Sequence, residues 1–231
     1  MTQQWWKQAV VYQIYPKSFM DSDGDGYGDI NGIISKLDYL SDLGVDVLWL
    51  TPIYPSPEKD NGYDISDYYA INPRYGTLEQ FKQLLTQVHQ RDMKLIMDIV
   101  VNHTSTEHEW FKQAMSSVDN PYHDFYIWRD GSPETPPNNW LSKFAGSAWQ
   151  YCAGVGKYYL HLFDVTQADL NWENPILRQE IYRMMRYWLE LGVDGFRLDV
   201  INLISKQQSF ADDTLLTPTA DGRKFYTDGP R

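Results

Sequence analysis

Apolar, β-branched segments that alternate with amphipathic helical segments constrain the fold of this 231-residue chain most strongly. Strands are predicted at residues 10–15, 45–50 and 94–101. Apolar residues at helical spacing predict helices at residues 33–43, ending before a capping glycine, and at residues 78–89. Because consecutive β–α–β units with nearly continuous apolar strands favour a buried parallel sheet, the predicted fold class is α/β.

The alternation stops in residues 104–172, which are rich in proline, glycine, asparagine and aromatic residues. A structureless loop of this length is uncommon in a compact domain, so we expect a small inserted domain with its own irregular fold. Regular structure resumes with a helix at residues 175–191, with Asn174 as its cap and Pro175 in its first turn. A fourth strand is predicted at residues 193–198.

Four strands do not close a barrel, so the simplest interpretation is the N-terminal half of a (β/α)8 TIM barrel with an irregular B-domain insertion after the third strand. A small open α/β sheet is the alternative, although no GxGxxG motif follows the first strand. The predicted domains are the first part of the barrel at 1–103, the insertion at 104–172, and the barrel's continuation through strand 4 and its following loop at 173–231.

The charge and amino-acid composition of the chain disfavour several classes of function. The net charge of -11 and the lack of a basic run disfavour nucleic acid and anionic membrane surfaces as partners. A single cysteine, Cys152, excludes an intrachain disulfide, and no segment reads as a signal peptide or a membrane span. We therefore expect a cytoplasmic protein without a membrane partner. The aromatic content of 15% suits either a well-filled core or sugar binding.

Residues 195–200 place an arginine and a carboxylate two positions apart on the fourth predicted strand. Arg197 and Asp199 therefore point to the same face of the sheet. A neighbouring guanidinium keeps a carboxylate ionised and fixes its direction, which is typical of the nucleophilic carboxylate of a glycosidase. The alternative is a structural ion pair inside a barrel.

Other polar residues follow the second and third predicted strands, at the edge where parallel α/β folds place their sites. Asp60 and Tyr63 follow the second strand, and His103 lies just past the third, which contains Asp98. His103 is suited to donate a hydrogen bond to a sugar hydroxyl. A capping or core histidine is the alternative, but the nearby carboxylates favour a site.

Residues 98–103 and 195–200 resemble the first and second signature segments of the α-amylase family of glycoside hydrolases, and the insertion between them is similar to that family's B domain. The resemblance covers essentially the whole chain. It implies that Asp199 is the nucleophile of a retaining mechanism and that Arg197 orients it. It further implies that the residues around the bound glucose are Asp60, Tyr63, Asp98, His103 and Phe163.

In this family the proton donor is a glutamate on the fifth barrel strand, and a His–Asp pair follows the seventh strand. Neither segment is present in these 231 residues. The resemblance therefore implies that the parent protein is an enzyme and that this chain alone is inactive.

Residues 21–29 alternate aspartates with glycines, a pattern that suits a loop around a hard cation. The start is similar to an EF-hand loop, but Gly32 stands where a bidentate glutamate is expected, and a solvated acidic turn is the alternative. Similar loops bind calcium in this branch of the family. The resemblance implies a structural Ca²⁺, and no organic cofactor, with ligands from the side chains of Asp21, Asp23, Asp25 and Asp29 and from the Tyr27 carbonyl.

The Gln-Ala-Asp-Leu-Asn segment at residues 167–171 resembles the fifth signature region of the oligo-1,6-glucosidase branch, whose second position is usually proline rather than Ala168. This variant and its flanks look like trehalose-6-phosphate hydrolases, which release glucose and glucose 6-phosphate. An oligo-1,6-glucosidase acting on isomaltose-type sugars is the alternative. A third class, non-catalytic sugar-binding or transporter-associated relatives, is disfavoured because the catalytic positions are retained and no membrane helix is predicted.

A phosphorylated disaccharide requires a local basic cluster in an acidic protein. The candidate phosphate ligands are Lys206, Arg223, Lys224 and Arg231. For each of them, the alternative is an ordinary solvated charge.

The sequence leaves the oligomeric state open.

Overall fold

The computed structural model describes residues 4–216 and residue 220. Within them the strands are β1 (Val11–Ile14), β2 (Val47–Leu50), β3 (Lys94–Val100), β4 (His103–Ser105), β5 (Trp128–Arg129), β6 (Trp149–Cys152), β7 (Lys157–Leu160), β8 (Gln167–Asp169) and β9 (Gly195–Asp199). The α-helices are α1 (Pro16–Phe19), α2 (Ile30–Ser35), α3 (Leu37–Asp42), α4 (Leu78–His89), α5 (Glu109–Ala114) and α6 (Pro175–Leu191). Short 3-10 helices cover Trp5–Lys7, His123–Phe125 and Ile201–Leu203.

These elements belong to two compact units. The first unit lies within Met1–Val100 and Glu180–Asp199, and the second lies within Val101–Gln179 and Val200–Arg231. The second unit thus includes the residues that directly follow β9. Sequence periodicity does not indicate that these residues belong to it.

The first unit contains the parallel sheet. Its strands are ordered β1-β2-β3-β9, and every neighbouring pair is parallel. The register places Asp98 beside Arg197 and Val100 beside Asp199. The interior strands β2 and β3 are mostly buried, as expected for a parallel sheet in an α/β fold.

The helix predicted at residues 33–43 differs from the structure in its start and its continuity. Helix α2 begins at Ile30, because the Asp29 side chain caps it by accepting a hydrogen bond from the Gly32 N–H at 2.7 Å. A non-helical Lys36 (φ -107°, ψ 3°) then separates α2 from α3. The predicted end is confirmed, since Gly44 follows α3 with φ +84°.

Helices α4 and α6 have the predicted bounds. A capping box between Thr77 and Gln80 begins α4. In α6 the Asn174 side chain accepts a hydrogen bond from the Ile176 N–H at 2.9 Å, and Gly192 follows the helix with φ +109°. Among the described residues, no helix has both the length and the apolar composition needed to cross a bilayer.

The second unit is richer in strands than the irregular insertion that we predicted. Strands β4 and β8 pair antiparallel, and β5, β7 and β6 form an antiparallel sheet in that order. Half of the buried members of its core are aromatic, so part of the chain's aromatic content fills a core. The buried members of this core are Ile127, Trp140, Ala148, Trp149, Tyr158, Leu160, Leu162 and Phe210.

Candidate functional site

Asp98 is a nearly inaccessible carboxylate, 1% exposed, in the carboxyl half of β3. Its Oδ2 accepts hydrogen bonds from Trp49 Nε1 at 3.1 Å and from the Tyr63 hydroxyl at 3.2 Å. Its backbone carbonyl accepts a hydrogen bond from the Tyr54 hydroxyl at 3.1 Å. A buried carboxylate requires such partners, and these donors fix both its position and its direction.

Arg197 connects the two carboxylates of the site. Its Nη1 lies 3.0 and 3.2 Å from the Asp98 oxygens and 2.5 Å from Asp199 Oδ1. The guanidinium also stacks near the Trp49 ring, with Cζ 5.0 Å from the ring centroid. The contact with Asp199 agrees with the prediction that these two residues point to one face of the strand. The additional contact with Asp98 arises from the parallel register of β3 and β9.

Burial raises the pKa of the Asp98 carboxyl to about 6, although the Arg197 guanidinium and the Trp49 N–H oppose the effect. Burial acts to lower the pKa of Arg197, but hydrogen bonds and negative charge from Asp98 and Asp199 outweigh it and raise that pKa. The pKa of the Tyr63 hydroxyl is raised, first by burial and then by the charge of Asp98. Arg197 and Tyr63 therefore remain protonated donors at neutral pH.

The turn that follows β2 holds Asp60 and Tyr63. The Tyr63 N–H donates to the Asp60 carbonyl at 3.0 Å. Asp64, which is 0% exposed, accepts hydrogen bonds from the Ser56 hydroxyl and the Lys59 N–H, both at 2.8 Å, and from the Asp60 N–H at 3.2 Å. This buried carboxylate therefore fixes the backbone of the turn, and the Tyr63 hydroxyl extends from it to Asp98.

In the second unit, His103 lies at the start of β4 and is 1% exposed. Its ring packs against Phe163, with the centroids 5.1 Å apart. Its Nδ1 lies 3.1 Å from the Asn102 amide nitrogen, and its Nε2 lies 3.1 Å from the Gln167 amide nitrogen. The two candidates from this unit, His103 and Phe163, are therefore direct neighbours, and amide groups fix the orientation of the imidazole.

Lys206 was predicted as a phosphate ligand, with an ordinary solvated charge as the alternative. Its side chain is 1% exposed, which disagrees with both. The ammonium donates to the Asn102 Oδ1 at 2.8 Å and to the Leu203 carbonyl, and it lies 3.4 Å from Asp169 Oδ2. Because these protein oxygens surround the ammonium, it is not available to bind phosphate. The other three phosphate candidates lie outside the described residues: Arg223, Lys224 and Arg231.

The acidic loop between α1 and α2 forms a small oxygen cluster. One carboxylate oxygen each from Asp21, Asp23 and Asp29 lies within 4.8 Å of the others. Asp25, the fourth predicted side-chain ligand, is outside this group, and its Oδ1 accepts a hydrogen bond from the Tyr27 N–H at 2.8 Å. Hydrogen bonds from loop backbone N–H groups lower the pKa of Asp21.

Converging anionic oxygens with no nitrogen or sulfur donor are a ligand set that fits a hard cation such as Ca²⁺. Asp29 also caps α2 and accepts hydrogen bonds from the Ser22 N–H and hydroxyl at 2.9 and 2.8 Å. The loop is thus already folded around the three carboxylates, and Asp21, Asp23 and Asp29 are the side chains that would hold the ion.

Two residues that contact the predicted site residues, Trp49 and Asp169, were not identified as such from the sequence. Trp49 was assigned only to a strand, and its contact with Asp98 depends on the register between β2 and β3. Asp169 was noted only as part of a signature segment, although it is 0% exposed and lies at the centre of the Lys206 contacts.

The catalytic-domain model of the α-amylase family matches residues 13–231. The trehalose-6-phosphate hydrolase of Bacillus subtilis (strain 168) is 64% identical over 228 residues, which cover 98% of this chain and 40% of that protein. The oligo-1,6-glucosidase of Parageobacillus thermoglucosidasius is 58% identical over 233 residues, which cover 100% of this chain and 42% of that protein.

The crystal structure of Bacillus licheniformis trehalose-6-phosphate hydrolase superimposes with a TM-score of 0.91 at 63% identity, covering 99% of this chain and 41% of that one. This chain therefore spans about two fifths of the length of the relatives that it matches. The predicted fold and family are confirmed. The chain belongs to the α-amylase family of glycoside hydrolases, and its parallel strands form the N-terminal part of that family's (β/α)8 catalytic barrel.

Proposed function

We propose that the protein containing this chain is a retaining α-glucoside hydrolase in which Asp199 is the nucleophile. The bridging position of Arg197 Nη1 between Asp98 and Asp199 is the observation that most supports this role. The guanidinium neutralises a pair of neighbouring carboxylates and directs one oxygen of Asp199, whose side chain is 13% exposed, towards a substrate.

In this mechanism an Asp199 oxygen attacks the anomeric carbon while the bond from that carbon to the leaving oxygen breaks. A carboxylic acid donates its proton to the leaving oxygen, and its conjugate base then removes a proton from the water that hydrolyses the glucosyl ester. The family places that acid on the fifth barrel strand. We therefore propose that the 231 residues alone do not turn over substrate.

The remaining candidates would position the sugar. Tyr63 and Asp60 follow β2 in the first unit, and His103 and Phe163 lie together in the second unit. Polar side chains can form hydrogen bonds with the hydroxyl groups of a pyranose. The face of an aromatic ring such as Phe163 can pack against the apolar C–H face of the sugar. Asp98 and His103 are each 1% exposed, so Asp98 would act by holding Arg197 and Tyr63, and His103 would act by packing against the ring of Phe163.

We propose trehalose 6-phosphate as the substrate, on the basis of the Gln-Ala-Asp-Leu-Asn segment and the 64% identity to a trehalose-6-phosphate hydrolase. An oligo-1,6-glucosidase activity on isomaltose-type sugars is the second candidate, because relatives with that name are 58% identical. The full-length protein should be assayed on both sugars. Release of glucose and glucose 6-phosphate from trehalose 6-phosphate alone supports the first proposal, and cleavage of isomaltose alone contradicts it.

With Lys206 enclosed, the proposed phosphate ligands from this chain are Arg223, Lys224 and Arg231. Replacing a true ligand by alanine should raise KM for trehalose 6-phosphate by about tenfold or more, while KM for an unphosphorylated aryl glucoside stays nearly constant. Lys82→Ala, at an exposed position of α4, is the matched control. Equal effects on the two substrates would refute the phosphate role.

We further propose that the acidic loop binds a structural Ca²⁺ through Asp21, Asp23 and Asp29. The convergence of their oxygens supports the proposal. A bound ion would hold together the loop that precedes α2. We also propose that the protein is cytoplasmic and that it binds a small-molecule disaccharide as its substrate.

A further inference from the structure

The turn that presents Asp60 and Tyr63 contains two non-glycine residues in the left-handed region. Glu58 has φ +56° and Asn61 has φ +51°, followed by Gly62 at +96°. Asparagine and glycine tolerate this region, whereas for glutamate it carries a steric cost. A glutamate is retained in such a conformation only where its surroundings hold it there.

The side chain of Glu58 supplies that restraint. It is 13% exposed, and its Oε2 accepts hydrogen bonds from Lys17 Nζ at 3.1 Å and Arg74 Nη1 at 3.0 Å. Its Oε1 lies 3.4 Å from the Tyr75 hydroxyl, and its own N–H donates to the Ser56 hydroxyl at 2.8 Å. Two cations from distant parts of the chain therefore converge on one carboxylate.

These contacts are continuous with the candidate site within the first unit. Ser56 donates to the buried Asp64, which in turn accepts the Asp60 N–H. Tyr63, one residue before Asp64, donates to Asp98. A shift of the backbone at Glu58 would therefore move the residues proposed to hold the sugar.

We propose that Glu58 is a positioning residue for substrate binding, which acts by holding the strained turn between Lys17 and Arg74. The inference rests on the proposed glycosidase function. Glu58 need not touch the sugar. Its charge and its left-handed backbone together fix where Asp60 and Tyr63 lie.

The experiment compares Glu58→Gln with the wild-type full-length protein. Because the amide cannot neutralise two cations, KM for the preferred glucoside should rise about tenfold with kcat changed less than about threefold. Glu180→Gln is the matched control, since it removes a carboxylate paired with an exposed arginine, Arg183, and should leave KM unchanged.

A double-mutant cycle with Lys17→Gln tests the mechanism. If Glu58 acts through Lys17, the double variant should raise KM little more than either single variant does. Glu58→Gly removes the side chain in a background where the backbone strain is relieved, and it should raise KM.

Unchanged KM in Glu58→Gln and Glu58→Gly, whatever happens to their melting temperatures, would overturn the inference. Should Glu58→Gln fail to fold, the Glu58→Gly result decides. A wild-type protein that cleaves no α-glucoside would refute the proposed function itself, which the wild-type assay shows before any variant is measured.

Discussion

Each unit of the molecule contains a buried aspartate paired with a cation, but the two pairs differ in exposure. In the first unit, Asp98 is enclosed while its partner Arg197 is 35% exposed and contacts a second carboxylate, Asp199. In the second unit, both Asp169 and Lys206 are enclosed, at 0% and 1%. Ion pairing alone therefore does not indicate a reactive site. Under the function proposed above, the exposed side of Arg197 and Asp199 is the side that would face a substrate.

The difference has a physical cause. Protein oxygens surround the Lys206 ammonium, but burial still outweighs the charge of Asp169 and lowers the pKa of this lysine. Arg197 has a fork of donors, and one nitrogen already contacts both carboxylates. Breaking the first pair should thus affect turnover, whereas breaking the second should affect folding.

The largest effect is expected for Asp199→Asn in the full-length protein. Loss of the nucleophile should lower kcat by about 10⁴-fold or more, since the amide cannot form the glycosyl ester. The melting temperature should change little, because Arg197 keeps its contact with Asp98. Kinetics and thermal unfolding measured on one preparation check both statements, and a kcat within tenfold of wild type would exclude Asp199 as the nucleophile.

The second pair should respond in the opposite way. Lys206→Met leaves Asp169 charged and buried without its cation, which should lower the free energy of unfolding by about 3–5 kcal/mol. The midpoint of urea unfolding of the full-length protein measures the loss. Lys157→Met is the matched control, because the partner of Lys157, Asp130, is 89% exposed, and its midpoint should hardly move. Equal shifts in the two variants would show that burial of the pair is unimportant.

The activity of the full-length protein should depend on pH through the Asp98 carboxyl of the first unit. Because the pKa of Asp98 is raised to about 6, the carboxyl takes up a proton as the pH falls through that value, and its hold on Arg197 weakens. The pH profile of kcat/KM should show an acid limb near pH 6. Asp98→Asn should lower kcat/KM by about 10–100-fold at pH 7 and remove that limb.

The effect of pH on folding stability is opposite to its effect on activity. The raised pKa means that folding penalises the charged carboxylate, so the contribution of Asp98 to stability falls as the pH rises from about 4 to about 6. Asp98→Asn should remove this component from the pH dependence of the unfolding midpoint. A variant whose pH dependence matches wild type in both activity and stability would contradict the assignment.

The smallest effect concerns the acidic loop. Chelation of Ca²⁺ should lower the melting temperature of the full-length protein by a few degrees. Asp21→Asn should abolish that calcium dependence, whereas Asp25→Asn, outside the cluster of oxygens, should retain it. Calorimetric titration with Ca²⁺ provides the second measurement. Identical calcium affinities for the two variants would remove Asp21 from the ligand set.

Local signals predicted the elements more reliably than their contacts. Helices α4 and α6 were predicted with their bounds because their caps and apolar spacing lie within a few residues. The start of α2 was missed because Asp29 was assigned to the acidic loop alone, although its side chain also caps the helix. One residue thus has two structural roles, and a pattern search assigned only the first.

The sequence by itself determined the α/β class through its alternating segments and the family through the segments that resemble that family's signatures. It determined the adjacency of Arg197 and Asp199 through the two-residue period of a strand. Only the tertiary structure brought Asp98 to Arg197, 99 residues away, and Lys206 to Asn102, 104 residues away. Strand register set the first contact and the folding of the second unit set the other. Burial then distinguished the partly exposed Arg197 from the enclosed Lys206, because exposure is a property of the packed chain and not of its residues.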